Sequence, residues 1–111
     1  MNGELKTTSF WILLGLVGGR RHGYSIIEEV RALSDGAVQL KVPTLYSSLE
    51  RLERDGLVAP DGEEAVDGRL RRYFCLTEAG DRALRAAVDG MEASARTARA
   101  RLNPARRAVI A

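Results

Sequence analysis

Apolar residues in the first third of the chain recur three and four positions apart, the spacing of helices with one buried face. The first predicted helix covers residues 8–18, with Ser9 placed to cap it and a Gly-Gly pair to end it. The second covers residues 24–34 and stops at Ser-Asp-Gly. We expect these helices to bury Ile12, Leu13, Leu16, Val17, Ile26, Ile27, Val30 and Leu33.

A third amphipathic helix follows a short extended piece at residues 38–41. Pro43 stands at its start, where the missing N–H of proline costs nothing, and Asp55-Gly56 ends it. Its buried positions are Leu45, Leu49 and Leu52, at i, i+4 and i+7.

The period then changes to alternation, which is typical of strands. Residues 57–60 and 71–77 are predicted strands, and two Asp-Gly turn signals between them indicate a hairpin tip. Thr77 is placed to cap a final helix that runs from Glu78 to about Leu102. Three helices, a hairpin and a long helix predict a mainly α protein with a small β-hairpin, a winged helix-turn-helix with a C-terminal dimerisation helix.

Composition limits the classes of protein without choosing among them. A chain of 111 residues with 45% hydrophobic and 29% charged residues fits one globular domain. The single cysteine, Cys75, excludes an intramolecular disulfide. The stretch FWILLGLVGG is too short to span a bilayer and lacks the basic start and the cleavage site of a signal peptide, so we expect a cytoplasmic protein.

The outer face of the third helix carries hydroxyls and an arginine where an ordinary solvated helix would carry Glu, Lys and Gln. In a helix-turn-helix, this helix enters the DNA major groove. Hydroxyls bind base edges or phosphate, and Arg is the commonest side chain that recognises guanine. A solvated helix of a protein-interaction domain remains the alternative. The candidate DNA contacts here are Lys41, Thr44, Tyr46, Ser47, Ser48 and Arg51.

The exit of the hairpin carries three further arginines. Alternation places Arg69 and Arg71 on one face and Arg72 on the other. Arginines at a wing tip can contact phosphate or enter the minor groove. The alternative is a charged edge strand that prevents aggregation, and nearby acids could also neutralise the arginines. Helix and hairpin together favour DNA binding, although the net charge is only +2.

In this order, the segments ILLGLV (12–17), HGYSIIEEV (22–30), PTLYSSLERLERDGLV (43–58) and DGRLRRYFCLTEAG (67–80) resemble the PadR family of bacterial transcriptional regulators. The resemblance covers about residues 8–88. It implies a dimeric DNA-binding regulator, usually a repressor and often relieved by a small molecule, of the short subfamily with one C-terminal helix. Val42 departs from the family, which often has a small polar cap before Pro43, and Leu70 stands where Pro or a basic residue is frequent.

Three further residues have side chains that could bind a ligand or react, and a structural role is possible for each. His22, the only histidine, caps or packs at the start of the second helix or contacts phosphate, and a metal site is improbable. Tyr24 has the same two interpretations, and core packing with an exposed hydroxyl is favoured. Cys75 fits a small buried hydrophobe better than a redox sensor. We expect no catalytic residues, metal or cofactor, and therefore no enzyme.

The last helix carries an apolar seam with alternating spacings of four and three, the a/d pattern of a helix packed along another helix. We expect the same helix of a second subunit to cover it, with Phe10 in the interface; the alternative is a helix folded back on its own domain. The seam residues are Leu84, Val88, Met91, Ala95, Ala98 and Leu102. The chain therefore divides into a winged helix-turn-helix domain (1–77), a dimerisation helix (78–103) and a basic tail (104–111).

Trp11 and Met91 are candidates for an effector site at this interface, because aromatic rings with Met form an adaptable apolar surface for a small aromatic compound. Simple packing of Trp11 and Phe10 is the alternative. The expected partners are a homodimer and an inverted-repeat operator in double-stranded DNA, with no membrane. A MarR-type regulator and a winged-helix module without DNA function remain open, although MarR-type chains usually need more helices than 111 residues allow.

Overall fold

A computed structural model describes residues 5–108, with side chains described through Asn103. The chain forms four α-helices and one three-stranded antiparallel sheet in the order β1-β3-β2. In chain order the elements are α1 (Thr7–Gly15), β1 (Arg21–His22), α2 (Gly23–Leu33), α3 (Val42–Arg54), β2 (Val58–Val66), β3 (Arg69–Leu76) and α4 (Glu78–Ala108). Within residues 5–108, no helix is long and apolar enough to cross a membrane.

One hydrophobic core joins the three short helices to the sheet and to the start of α4. Each helix contributes the residues at its helical spacing, and Phe74 closes the core from β3. The core residues are Ile12, Leu13, Leu16, Ile26, Val30, Leu45, Leu49, Leu52, Val58, Phe74 and Leu84. The periodicity therefore predicted most of the core correctly.

The ends of the first two helices differ from the prediction. Helix α1 ends at Gly15 instead of residue 18, so Val17 lies in a turn and is 50% exposed. Leu33 ends α2 and is 45% exposed, although Val30 in the same turn is fully buried. Ser9 does not cap α1: it is buried inside the helix, and Lys6 is the N-cap without a side-chain hydrogen bond.

A short strand that the sequence analysis did not predict lies between the first two helices. Arg21 pairs with Phe74 and His22 pairs with Tyr73, so β1 attaches the start of α2 to strand β3. Two residues are too few to show any periodicity, so this strand could not be predicted.

The hairpin of β2 and β3, called the wing below, is longer and its tip tighter than predicted. Its outer residues pair from Glu63 with Arg72 to Val66 with Arg69, so only Asp67-Gly68 forms the turn. Both turn residues have positive φ, 50° and 74°, as a two-residue hairpin turn requires. The earlier Asp-Gly pair coincides with an irregularity in the pairing between Pro60 and Glu63, and it is no turn.

Helix α4 begins at its predicted cap. The hydroxyl oxygen of Thr77 accepts a hydrogen bond from the N–H of Gly80 at 3.0 Å. Gly80 is required at this position, because a Cβ there would overlap the carbonyl oxygen of Leu57. The helix continues to Ala108, beyond the predicted end near Leu102. The basic tail predicted at 104–111 therefore begins within α4, while its side chains and residues 109–111 lie outside the described part of the chain.

The second half of α4 extends away from the rest of the molecule. Among the side chains described, Ala87 is the last that is partly buried, and those from 88 to 103 are exposed. The molecule is accordingly elongated, with principal extents of 64 × 29 × 22 Å. We call residues 88–103 the projecting half of α4.

Candidate nucleic-acid interface

Helix α3 has one buried face and one exposed face, as its sequence predicts. Leu45, Leu49 and Leu52 lie in the core, while Thr44 and Ser47 are exposed on the opposite side. Ser48 does not join the exposed face: it is 3% exposed and lies on the core side of the helix. A side chain this buried cannot reach DNA, and we remove Ser48 from the candidate contacts for this reason.

The first turn of α3 has no side-chain cap. Lys41 is the N-cap and makes no side-chain hydrogen bond, and Val42 and Pro43 follow as the first two helical residues. An uncapped first turn leaves backbone N–H groups free, and these groups together with the helix dipole attract phosphate. Farther along the exposed face, the hydroxyl of Ser47 donates to the carbonyl of Thr44 at 3.2 Å, and Arg51 is half-buried.

Tyr46 is held in place by a glycine at the start of α2. A Cβ on Gly23 would stand 3.0 Å from Cζ of Tyr46 and would overlap its hydroxyl oxygen, so the ring packs directly on the Gly23 backbone. Tyr46 remains 39% exposed. The neighbouring Tyr24 is 66% exposed, which contradicts the prediction that it packs in the core. Gly23 itself is buried, and Tyr24 lies on the exposed face of α2 with Glu28 and Arg31, four and seven positions later.

The wing presents its three arginines to solvent. Arg69, Arg71 and Arg72 are all exposed, and Arg72 alternates with the other two along β3, as predicted. The guanidinium of Arg72 lies over the ring of Phe74, 5.4 Å from its centroid. The ion pairs found among the described side chains are Arg21–Glu29, Arg82–Glu78 and Arg85–Asp81, so wing acids do not neutralise these arginines by ion pairs.

An open groove of about 760 Å³ lies between the wing and the first turns of α2 and α3. It brings together predicted contacts that are distant in sequence: the start of α2, the start of α3 and the end of the hairpin. Its floor is apolar and includes Val42, Leu45 and Leu70. The predicted contacts that line it are His22, Tyr24, Tyr46, Arg69, Arg71 and Arg72. We call this the wing groove.

His22 lies at the edge of the wing groove. Its ring meets that of Tyr73 edge to face, with centroids 5.5 Å apart. Partial burial, together with the positive charge of Arg71, lowers the pKa of His22 below its ordinary value. His22 is the N-cap of α2 but makes no side-chain cap bond; Ser25 instead donates to its carbonyl at 3.0 Å. Packing at the helix start is thus confirmed, and side-chain capping is wrong.

The sequence did not reveal how the wing is fixed to the domain. Arg20 stacks over the ring of Tyr73, 4.2 Å from its centroid, and donates to the carbonyl of Asp61 at 2.8 Å. The hydroxyl of Tyr73 donates in turn to Glu64 at 2.7 Å. These contacts link the turn before α2 to both wing strands. Tyr73, a half-buried aromatic residue that directly follows Arg71 and Arg72, was the available signal in the sequence.

The residues predicted for the dimer interface fall into two environments. Leu84 is 6% exposed and packs in the core of its own domain, so it does not belong to a surface seam. Val88, Met91 and Leu102 are 37%, 52% and 60% exposed, and Ala95 and Ala98 are also exposed. Phe10 and Trp11 pack partly against the core, their rings edge to face at 5.4 Å.

Two further side chains bear on chemistry. Cys75 is half-buried. Its burial, and to a lesser extent the negative charge of Asp61, raise the pKa of its thiol. A raised pKa favours the protonated thiol, which is the unreactive form. Among the described residues, no group of three or more His, Cys, Asp or Glu side chains is arranged to hold a metal ion.

The fold and the basic groove define a winged helix-turn-helix protein. The family model described as "Transcriptional regulator PadR-like family" matches residues 12–86, and the chain belongs to this family. Because this is a family of transcriptional regulators, the match agrees with the prediction of a regulator and not an enzyme. The match to PadR also argues against the MarR-type alternative.

Relatives and solved structures are consistent with this assignment. The chain is 41% identical over 63 residues to the transcriptional regulator Rv3488 of Mycobacterium tuberculosis and 32% identical over 60 residues to an uncharacterized protein of Lysinibacillus sphaericus. Each match spans 55% of the relative's length. A transcriptional regulator of Clostridium thermocellum superposes with a TM-score of 0.70 at 25% identity, covering 82% of this chain and 88% of that one.

Two further structures share the fold. A PadR family transcription regulator of Clostridium difficile has a TM-score of 0.72 at 24% identity, covering 87% of this chain and 99% of that one. Bacillus subtilis PadR, solved in complex with operator DNA, has a TM-score of 0.67 at 19% identity, covering 77% of this chain and 48% of that one.

Proposed function

We propose that this protein is a dimeric transcriptional repressor that binds an inverted-repeat operator in double-stranded DNA through α3 and the wing. The observation that carries the proposal is the wing groove, which gathers three exposed arginines and the start of α3 on one surface. Arginines without ion-pair partners beside an uncapped helix start form a surface suited to a sugar-phosphate backbone.

The proposal divides the contacts by role. Thr44, Ser47 and Arg51, on the outer face of α3, contact base edges in the major groove. Lys41 and the first-turn N–H groups of α3 hold a phosphate, which positions α3 without contributing sequence selectivity. The arginines of the wing, with His22 and Tyr24 at its base, contact the backbone or the minor groove. The operator complex of Bacillus subtilis PadR, a protein with the same fold, supports this use of the fold.

Dimerisation supplies the second half of the operator contact. The projecting half of α4 carries an exposed apolar stripe that its own domain does not cover. Burying such a stripe against a second subunit removes apolar surface from water. A two-fold dimer presents two α3 helices, and its operator is therefore an inverted repeat.

Relief of repression is assigned to a small planar aromatic compound bound between subunits. Trp11 and Phe10 are only partly buried in α1, and Met91 is 52% exposed on α4, so a pocket containing both Trp11 and Met91 would form between two subunits. Such a compound acts only if it binds the dimer better in a form that does not bind DNA. Titrating Trp11 fluorescence with planar aromatics, in parallel with DNA release, tests this part; quenching that never accompanies release would contradict it.

The DNA contact is tested with duplexes selected from a random pool by the protein itself. Arg51→Ala should weaken the selected duplex by about 1–3 kcal/mol while leaving random duplexes nearly unchanged, if Arg51 contacts a base. Arg71→Ala should weaken all duplexes alike and reduce the slope of affinity against salt by about one. Arg31→Ala, which removes an exposed arginine of α2 outside the groove, is the control. DNA binding would be refuted if the parent protein and the three variants bound all duplexes with the same affinity at every salt concentration.

A further inference from the structure

The projecting half of α4 carries an apolar stripe that its own domain does not cover. Its apolar stripe is formed by Val88, Met91, Ala95, Ala98 and Leu102, and the three largest of these side chains are 37%, 52% and 60% exposed. The spacing of four and three places all five on one side of the helix. A stripe of this kind requires an occupant of matching shape, and a second helix with the same seam provides it.

Charge is distributed unevenly along the same segment. The first part carries the acids Asp89 and Glu92, and the second part carries the bases Arg96, Arg99 and Arg101. All five side chains are exposed, and none is in an ion pair with a described side chain within its own chain. The helix is therefore negative where it leaves the domain and positive farther along. Two copies side by side complement each other only when they run in opposite directions.

We propose that two α4 helices pack antiparallel through this seam, with Glu92 of each subunit beside Arg99 of the partner subunit. The proposal rests on the dimer proposed above and specifies its geometry, its register and its selecting charges.

The seam itself admits this register. In an antiparallel pair, an a residue faces a d residue across the interface. A two-fold axis that passes between the two helices at the middle of the seam gives one register. In this register Met91 faces Leu102 of the partner subunit, and Ala95 faces Ala98 of the partner subunit. The small alanines then lie at the centre, where the helices can approach closely, and the large side chains lie at both ends.

The flanking charges select this register among its neighbours. In the heptad frame, Glu92 and Arg99 both occupy e positions, and e positions face each other across an antiparallel pair. In the proposed register Glu92 faces Arg99 of the partner subunit, and the two-fold axis repeats this attractive pair on its other side. A shift by one heptad in one direction places Glu92 against Glu92 of the partner subunit. A shift in the other direction places Arg99 against Arg99 of the partner subunit.

A parallel pair gains nothing comparable. In parallel coiled coils, g residues pair with the next e residues of the other helix. Here these pairs are Ala87 with Glu92 of the partner subunit and Ser94 with Arg99 of the partner subunit, and neither is an ion pair. A parallel pair also places the acidic ends together and the basic ends together, which like-charge repulsion disfavours.

Cysteine cross-linking distinguishes the arrangements. In a Cys75→Ser background, Met91→Cys chains and Leu102→Cys chains are mixed, subunits are allowed to exchange, and the mixture is oxidised. The antiparallel register predicts a mixed disulfide between the two kinds of chain, because identical positions lie roughly 16 Å apart along the axis, too far for a bridge. Disulfides only between identical chains would overturn the orientation and leave the dimer intact. No disulfide, with a monomer in sedimentation at tens of micromolar, would refute the proposed dimer itself.

Charge exchange tests the selecting pair. Glu92→Arg and Arg99→Glu, each alone, should raise the dimer dissociation constant about tenfold, because each places like charges across the seam twice. The double variant should return to within about threefold of the parent. Asp89→Arg reverses a similar charge off the seam and should have little effect. A double variant as weak as the two single changes combined would overturn the pairing of Glu92 with Arg99 of the partner subunit.

Discussion

Helices α3 and α4 carry the same kind of apolar pattern but differ in what covers it. In α3, Leu45, Leu49 and Leu52 are at most 2% exposed, because α1, α2 and the sheet surround them. In the projecting half of α4, Met91 and Leu102 are 52% and 60% exposed. Periodicity therefore shows which face of a helix must be buried, and it does not show whether the cover belongs to the same chain.

The winged helix-turn-helix and the projecting half of α4 also differ in what stabilises them. The winged helix-turn-helix has a core to which five of its elements and the start of α4 contribute, so its apolar faces are buried within one chain. The projecting half of α4 has neighbours only along its own helix, and long helices in water gain most of their stability from packing. The proposed dimer would therefore couple the order and the burial of this segment to protein concentration.

The largest effect is expected from truncating the same residue type in the two regions. Leu49→Ala should lower the free energy of unfolding by about 2–5 kcal/mol, since it leaves a cavity among fully buried side chains. Leu102→Ala should leave the unfolding of the winged domain nearly unchanged at concentrations where the protein is monomeric. Chemical denaturation of both variants at low and high protein concentration measures this. Equal losses at low concentration would show that the winged domain buries Leu102.

A charge in the α4 seam should separate dimerisation from folding. Met91→Asp places a short carboxylate against the apolar stripe and should weaken dimerisation at least tenfold, because an unpaired charge opposes burial. Tight operator binding should be lost with it. Ala93→Asp carries the same helix-propensity cost on the outer side of α4 and is the matched control. Light scattering and DNA titration give the readouts, and similar behaviour of the two variants would contradict a seam at Met91.

A smaller effect should follow from filling the contact under Tyr46. Gly23→Ala should destabilise the fold by about 1–3 kcal/mol and displace Tyr46 from the wing groove, because the new Cβ would overlap the Tyr46 hydroxyl. Tyr46→Phe in the same chain removes that oxygen and should recover part of the loss, as measured by thermal unfolding. If the phenylalanine variant recovers nothing, the Tyr46 hydroxyl is not the clashing group.

The smallest effect concerns pH, and it belongs to the winged domain because His22 is the only histidine. Folding lowers the pKa of His22, so the unfolded state binds the proton more readily. The stability due to neutral His22 is therefore full above its unfolded pKa, near 6.5, and is lost as pH falls toward the lowered folded pKa. Denaturation from pH 7.5 to 5.5 should show this fall, and His22→Gln should reduce it. An unchanged profile in the variant would assign the pH dependence to other groups.

Much of the fold could be predicted from the sequence, because it depends on local signals. The buried faces of α2 and α3, the Thr77 cap and the alternation of the wing arginines follow from spacing and side-chain chemistry alone. Strand β1 could not be found, since two residues carry no period. Val17 and Leu33 were misplaced because helix ends depend on tertiary packing.

The candidate site was less predictable. Ser48 matches its exposed neighbours in type, and only the position of the helix in the core shows that it faces inward. Tyr24 was placed in the core because its residue type favours burial, but it lies on the exposed face of α2 with Glu28 and Arg31. The wing groove itself depends on the β1–β3 pairing and on the contact of Tyr46 with Gly23, which bring together residues more than twenty positions apart in sequence.

Hydroxyl-radical footprinting on a selected operator tests the central claim most directly, because it requires α3, the wing and the α4 dimer together. The account predicts two protected half-sites in inverted orientation, with centres about 10 bp or a multiple of that apart. It also predicts that Met91→Asp loses both half-sites at the concentration where the parent and Ala93→Asp protect them. A single protected site, or an unchanged footprint with Met91→Asp, would contradict it.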